Sequence, residues 1–259
     1  MTSAASGPDA IFADARLAAV YDAFEGDRDD LAAYAAMAEE FRASHILDIG
    51  CGTGAFATSM ARRGLRVTAA DPAEASLTVA QGKPGAAAVR WVHGTAQDVL
   101  PLQADLAFMT ANVAQVFLTD AEWMSCLHAI RAALRPGGRL VFESRDPRRR
   151  AWEDWTRART HRLVRTAAEG EADRWEQLRS VDGEFVTFET VTVFRRDGER
   201  IDSSSTLRFR SREALAETVE RAGFTVEEVR DAPDRPGREF VFVARRPGES
   251  SPGERNAHD

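Results

Sequence analysis

From Ile11 to Phe41 apolar residues return every three or four positions, as in IFADARLAAVYDAF and DLAAYAAMAEEF, which predicts amphipathic helices. The period then shortens. HILDIG reads as a buried strand and AFATSMARRG as a helix closing on Gly64. LRVTAAD is the next strand, followed by the helix PAEASLTVAQGK with Pro72 suited to its first turn. VRWVHG and ADLAFMT continue the alternation. DAEWMSCLHAIRAAL is a helix that Asp120 can cap, with Trp123, Leu127, Ile130 and Leu134 on one face, and RLVFES follows it as a strand. Strands alternating with helices over residues 46–143 predict a mostly parallel sheet covered on both faces.

Beyond this stretch the pattern changes. RRRAWEDWTRART predicts a short helix with Trp152 and Trp155 on one side. Around Asp197-Gly198 the alternation has period two, the mark of a hairpin. With RLVRTA and RWEQLRSV this predicts several antiparallel strands within residues 160–210. SREALAETVERAG, FTVEEVR and REFVFVARR return to the α/β pattern. The expected division is a core over 11–145, an antiparallel insertion over 146–210, a return to the core over 211–246, and mobile tails at 1–10 and 247–259.

Composition narrows the function classes. The chain has 259 residues, 44% of them hydrophobic and 29% charged, with a net charge of −7. That balance argues against a nucleic-acid partner, which needs a basic surface. No apolar run approaches the ~18 residues that would span a membrane, and the N-terminus lacks the pattern of a signal peptide, so a cytoplasmic location is expected. Cys51 and Cys126 support neither a disulfide framework nor a metal cluster. Lys83 is the single lysine, in a loop-like stretch, which disfavours lysine-based covalent chemistry.

The chemistry lies in ILDIGCGTGAF. A glycine-rich turn leaving a buried strand and entering a helix is where α/β folds bind ligands. Gly50 suits a turn conformation closed to other residues, Gly52 lets backbone touch a ligand, and Gly54 lets the helix start pack closely. Asp71 closes the next strand about 20 residues downstream, the offset of a carboxylate that grips ribose hydroxyls. The spacing is G-x-G-x-G, not the G-x-G-x-x-G of dinucleotide enzymes.

LDIGCGTG resembles motif I of the class I S-adenosylmethionine-dependent methyltransferases. AADP, HGTAQDV and ALRPGGRLVFES are similar to that family's later motifs, and the N-terminal helices to those that fold over its cofactor. The resemblance implies a Rossmann-like fold with a seven-stranded, mostly parallel sheet, helices on both faces, and an antiparallel β insertion after the fifth strand. It implies that Gly50, Gly52 and Gly54 line the methionine part of S-adenosylmethionine and that Asp48 orients the loop. Asp71 would accept from the ribose, Pro72 would flank the adenine, and Ala96 and Gln97 would meet its edge, with Asp98 the alternative partner. Thr110 would present backbone to the cofactor amine. Tyr21 fits the family's lid tyrosine, or is an amphipathic core tyrosine.

Implied on the acceptor side are Asn112 and Gln115, which otherwise read as capping or surface amides. The arginine cluster SRDPRRRAWEDWTRARTHRLVR suits an anionic acceptor, with Arg145 foremost, or else is a solvated face. His128 and His161 are candidate bases. The expected activity is methyl transfer to a small-molecule acceptor. The alternatives are a nicotinamide-dependent oxidoreductase, which the loop spacing disfavours, and a non-catalytic S-adenosylmethionine-binding protein. No metal is expected, and the sequence leaves the oligomeric state open.

Overall fold

The computed structural model describes residues 7–232 and 234–248; most of the two expected tails lies outside them. Strands β1 (His45–Ile49), β2 (Arg66–Asp71), β3 (Val89–His93), β4 (Ala104–Met109) and β5 (Leu134–Arg145) come first. They are followed by β6 (Arg162–Thr166), β7 (Gly170–Asp182), β8 (Phe185–Phe194) and β9 (Arg200–Arg208), then β10 (Thr225–Asp231) and β11 (Glu239–Arg245). Seven of these form one sheet in the order β3–β2–β1–β4–β5–β11–β10. The first five are mutually parallel, whereas β11 runs antiparallel to both β5 and β10. The start of β11 therefore lies at the carboxyl ends of β1, β4 and β5.

The helices are α1 (Ala10–Ala13), α2 (Ala15–Glu25), α3 (Asp30–Glu40), α4 (Ala55–Arg62), α5 (Glu74–Gln81), α6 (Asp120–Ala133), α7 (Arg157–Thr160) and α8 (Arg212–Arg221). Strand alternation sends Leu47, Ile49 and Phe142 to one face, against Trp123, Leu127 and Ile130 of α6 and Leu215 of α8. Ile46, Val67 and Phe108 go to the other, against Tyr34 and Met37 of α3 and Phe56 and Met60 of α4. Asp48, Glu143 and Arg145 continue that second face beyond the apolar residues.

The strands β6–β9 form a separate antiparallel sheet in chain order. One side packs on the N-terminal helices, where Leu17, Val20 and Phe24 meet Ala172 and Phe194. At its far end Arg208 donates to the Leu118 carbonyl and pairs with Asp120 at the start of α6. The N-terminal helices are themselves fastened to the core, since Asp22 of α2 accepts from Thr53 Oγ1 at 2.6 Å and pairs with Lys83 at 2.5 Å. The small sheet thus reaches from α2 to α6 across the carboxyl edge of the main sheet.

Several local expectations are corrected. Pro72 precedes the N-cap of α5, Ala73, rather than lying in its first turn. The cap of α6 is Thr119, not Asp120: its hydroxyl accepts from the Glu122 N–H while Glu122 accepts from the Thr119 N–H, a reciprocal box. The helix expected over RRRAWEDWTRART is broken into two 3-10 turns and α7, with Arg150 at φ 46° between the turns. Its tryptophans still share a side, against Phe209 and Phe188. Helix α1 begins at Ala10, within the expected N-terminal tail.

Candidate functional site

The turn after β1 is held by short-range bonds. The N–H groups of Gly50 and Cys51 both donate to the Ala70 carbonyl of β2, and Gly54 N–H donates to the Cys51 carbonyl. Gly50, Gly52 and Gly54 all have positive φ, at 70°, 52° and 75°. The last two differ in surroundings. A Cβ on Gly54 would meet Trp91 at 2.5 Å and Ala80 at 2.8 Å, so this glycine lets α4 start against β3 and α5. A Cβ on Gly52 would meet nothing within 4 Å. Space in front of this backbone is what a ligand-binding turn requires.

Asp71, buried at the end of β2, accepts from Gly52 N–H at 2.8 Å through one oxygen and from Ala73 N–H at 2.8 Å through the other. It ties the first ligand loop to the second, a role not anticipated from the sequence. Each oxygen keeps a free lone pair. Burial raises its pKa, and the two N–H donors oppose that rise.

Asp48 lies one strand away, 1% exposed, and neither carboxylate oxygen has a hydrogen-bond partner. Burial and the neighbouring Asp71 charge push its pKa up to about 7. Burial and the same carboxylates push the Cys51 thiol pKa well above its ordinary value. Ala96 is buried below the adjacent loop. Gln97 is exposed, donating to Ser125 Oγ, and Asp98 is engaged in its own turn by the Thr95 N–H. Pro72 is exposed and its carbonyl meets His93 Nε2 at 3.0 Å.

The loop after β4 carries the remaining candidates. Thr110 is buried, and Ala111 and Asn112 both adopt left-handed backbone, at φ 55° and 61°. Such strain persists only where surroundings fix it. Here Glu143 accepts from Asn112 N–H at 3.0 Å, and Glu239 accepts from Asn112 Nδ2 at 3.3 Å. Tyr34 of α3 donates its hydroxyl to the other Glu143 oxygen. Burial, then the Glu239 charge, raises the Glu143 pKa.

Arg145 faces Glu239 across the β5–β11 register, with Nε 3.7 Å from its Oε1, and donates to Gln115 Oε1 at 3.0 Å. The structure therefore brings Asn112, Gln115 and Arg145 together, but with Arg145 already partnered. Asn112 Oδ1, Gln115 Nε2 and Glu239 Oε2 are buried without partners. Arg148 does not join them. Its guanidinium grips Asp146, its side chain is 78% exposed, and with Arg149, Arg212 and Arg230 it lines a cavity of about 220 Å³ beside β10.

Tyr21 packs against Phe12 and beside Arg174, between α2 and β7. His128 is exposed on α6, and His161 is bound to Asp173 at 2.8 Å. A cavity of about 400 Å³ between α3, α4 and Lys83 contains none of the site residues. No cluster suited to a metal ion occurs among the described residues, and no helix among them is long and apolar enough to cross a membrane.

Residues 46–138, from β1 into the start of β5, match the family model of a methyltransferase domain. This stretch is a methyltransferase domain. The chain is 31% identical over 103 residues to the cypemycin N-terminal methyltransferase of a Streptomyces species, covering 39% of this chain and 42% of that protein. The chain spans less than half the length of the curated relatives it matches.

Similarity in fold reaches further. The CcbJ methyltransferase of Streptomyces caelestis superposes with a TM-score of 0.72 at 22% identity, covering 90% of this chain and 96% of that one. The sugar N-methyltransferase KedS8 of a Streptoalloteichus species gives 0.71 at 18%, covering 95% and 96%. At these identities both are likenesses of fold.

Tyr34, Glu143, Glu239 and the Asp22–Thr53–Lys83 clasp escaped the reading of the sequence. Glu143 had a visible signal, a carboxylate in the otherwise apolar strand RLVFES. Glu239 had none, because its partners are distant or late in the chain: Asn112, Arg145, and Arg235, which donates to its Oε1 at 2.9 Å.

Proposed function

We propose that the chain transfers a methyl group from S-adenosylmethionine to a small-molecule acceptor that carries an anionic group. The observation that supports this best is the pairing of open space before Gly52 with the unpartnered, buried Asp48 carboxylate behind it. A cationic amino-acid head suits an acidic floor of this kind, and a ribose suits the spare lone pairs of Asp71. The residues present fit the cofactor.

Gly50, Gly52 and Gly54 would hold it through backbone, with Asp48 and Thr110 toward its amine and Asp71 toward its ribose. Pro72, Ala96 and Gln97 would border the adenine, and Tyr21 would close the site from α2. When bound, S-adenosylmethionine supplies an electrophilic methyl group for in-line displacement. The chain's contribution is positioning, which is worth ~7–11 kcal/mol of a barrier in favourable cases. Glu143 and Glu239 fix the strained loop at Ala111–Asn112, so that Asn112 and Gln115 present unused polar atoms at one place. The sheet β6–β9, fastened at α2 and α6, excludes water from the edge below it.

Calorimetry tests the reading. S-adenosylmethionine and S-adenosylhomocysteine should both bind, and NAD should not. Binding of NAD with no binding of the other two would overturn it.

A further inference from the structure

Arg174 has no part in the site described so far, yet it is the least compensated charge near it. It is 8% exposed in the middle of β7. Its Nε donates to Thr192 Oγ1 at 3.2 Å, while Nη2 is buried without a partner, and the guanidinium makes no ion pair among the described residues. Its Cζ lies 4.0 Å from the Phe24 ring centre and 5.8 Å from that of Tyr21. Glu25 and Glu176 act on it only through space, and burial lowers its pKa to about 10, so it stays charged at neutral pH. A buried charge without a counter-charge destabilises a fold.

The placement gives the charge a use. Residues 172, 174 and 176 share one face of β7. Ala172 packs into the cluster of α1 and α2, and Glu176 lies close enough to Arg145 for each charge to be felt by the other. This face therefore runs from α2 to the end of β5, over the edge that carries Asn112 and Gln115. Arg145 was the arginine expected to meet an anionic acceptor, but it already has partners in Gln115 and in Glu239, which it shares with Arg235. Arg174 presents an unused N–H, and Tyr21, whose hydroxyl has no hydrogen-bond partner among the described residues, stands beside it.

We propose that Arg174, flanked by Tyr21, is the seat of an anionic group, a carboxylate or phosphate, on a ligand held between β7, α2 and the end of β5. The inference rests on the methyl-transfer reading for the identity of that ligand. A guanidinium with a free edge takes an oxyanion through directed N–H donors, which a lone ammonium does less well. Two ligands offer such a group: the amino-acid carboxylate of the cofactor and an anionic substituent of the acceptor.

The test compares the full-length wild type with Arg174→Met, Arg174→Lys and Tyr21→Phe. Calorimetry measures S-adenosylhomocysteine and 5′-methylthioadenosine, which lacks the carboxylate. Acetate and inorganic phosphate are titrated at constant ionic strength, with and without saturating S-adenosylhomocysteine. If the seat takes the cofactor carboxylate, Arg174→Met weakens S-adenosylhomocysteine at least tenfold and leaves methylthioadenosine unchanged. If it takes the acceptor's anion, S-adenosylhomocysteine is unchanged, and acetate or phosphate binding to the loaded protein falls at least tenfold. In either case Arg174→Met is at least as thermostable as the wild type, and Arg174→Lys and Tyr21→Phe give smaller losses. Equal binding of all four ligands by wild type and Arg174→Met overturns the proposal, as does a wild type that binds neither anion while S-adenosylhomocysteine affinity is unmoved by the substitution. A wild type that fails to bind S-adenosylhomocysteine overturns the cofactor reading instead, and the anion titration without it still decides the seat.

Discussion

Asp48→Asn should stabilise the unliganded protein, increasingly so as the pH rises. The substitution keeps shape and removes charge at a position where neither oxygen has a partner. Burial and Asp71 move this carboxyl from 3.8 to about 7. The folded state thus holds the proton more tightly than the unfolded chain does. The neutral form's contribution is fully present below pH 3.8 and is lost as the pH climbs through about 7. Integrating between those limits, the wild type loses on the order of 2 kcal/mol at pH 5 and about 4 kcal/mol at pH 8 relative to a side chain that cannot ionise. For a domain of this size that corresponds to Tm differences of roughly 5 °C and 10 °C. Scanning calorimetry of both proteins from pH 5 to 8 at fixed ionic strength measures the gap directly. A gap that does not widen with pH, or a variant less stable than wild type at pH 8, would refute the account of Asp48 as an uncompensated buried acid.

Asp71→Ala removes the acceptor for the Gly52 and Ala73 N–H groups, so it should lower stability by about 1–3 kcal/mol and weaken S-adenosylhomocysteine at least tenfold, read by urea unfolding and calorimetry. Gly52→Ala has only its positive φ against it and should fold with a loss of about 1–2 kcal/mol while blocking ligand binding. Gly54→Ala adds the collision with Trp91 and Ala80 and should lose about 3–5 kcal/mol, so equal melting temperatures for the two variants would contradict the geometry. Tyr34→Phe leaves one Glu143 oxygen buried without its donor and should lose about 1–3 kcal/mol by urea unfolding.

The main sheet was legible because its signals are local. A run such as HILDI must be buried on both faces, and the glycines and Asp71 fall at fixed offsets from strand ends. Helix ends were less legible, because a cap depends on which of two adjacent polar residues turns its side chain back, as with Thr119 and Asp120. The arginine-rich segment failed as a helix because both tryptophans must reach the Val186–Phe209 cluster, and the chain turns at Arg150 to bring them there. The state of Arg145 was not legible at all. Its partner arrives on β11, antiparallel and far along the chain, so the sequence shows an arginine at a ligand edge and conceals that its charge is already met.

That concealment bears on how the site is built. Among the described residues, buried polar atoms without partners occur in seven: Asp48, Asn112, Gln115, Arg174, Trp175, Arg210 and Glu239. Of these, Asp48, Asn112, Gln115 and Glu239 sit at the carboxyl ends of β1, β4 and β5 or the adjoining start of β11, and Arg174 lies on the strand face above them. A protein selected for stability alone would pair such atoms or replace them with apolar ones. Their concentration at one edge, together with two consecutive left-handed residues in the loop between them, puts local instability where a ligand would relieve it. The charges also divide by position. On the floor Asp48 and Glu143 make no ion pair among the described residues and Glu239 is met by Arg145 and Arg235, whereas Arg174 on the small sheet makes none. On the proposed reading, a ligand entering between them would place a cationic head below and an anionic group above. This polarity, more than any single residue, separates this edge from the cavity beside α4, whose arginines and lysine face solvent or their own carboxylate partners.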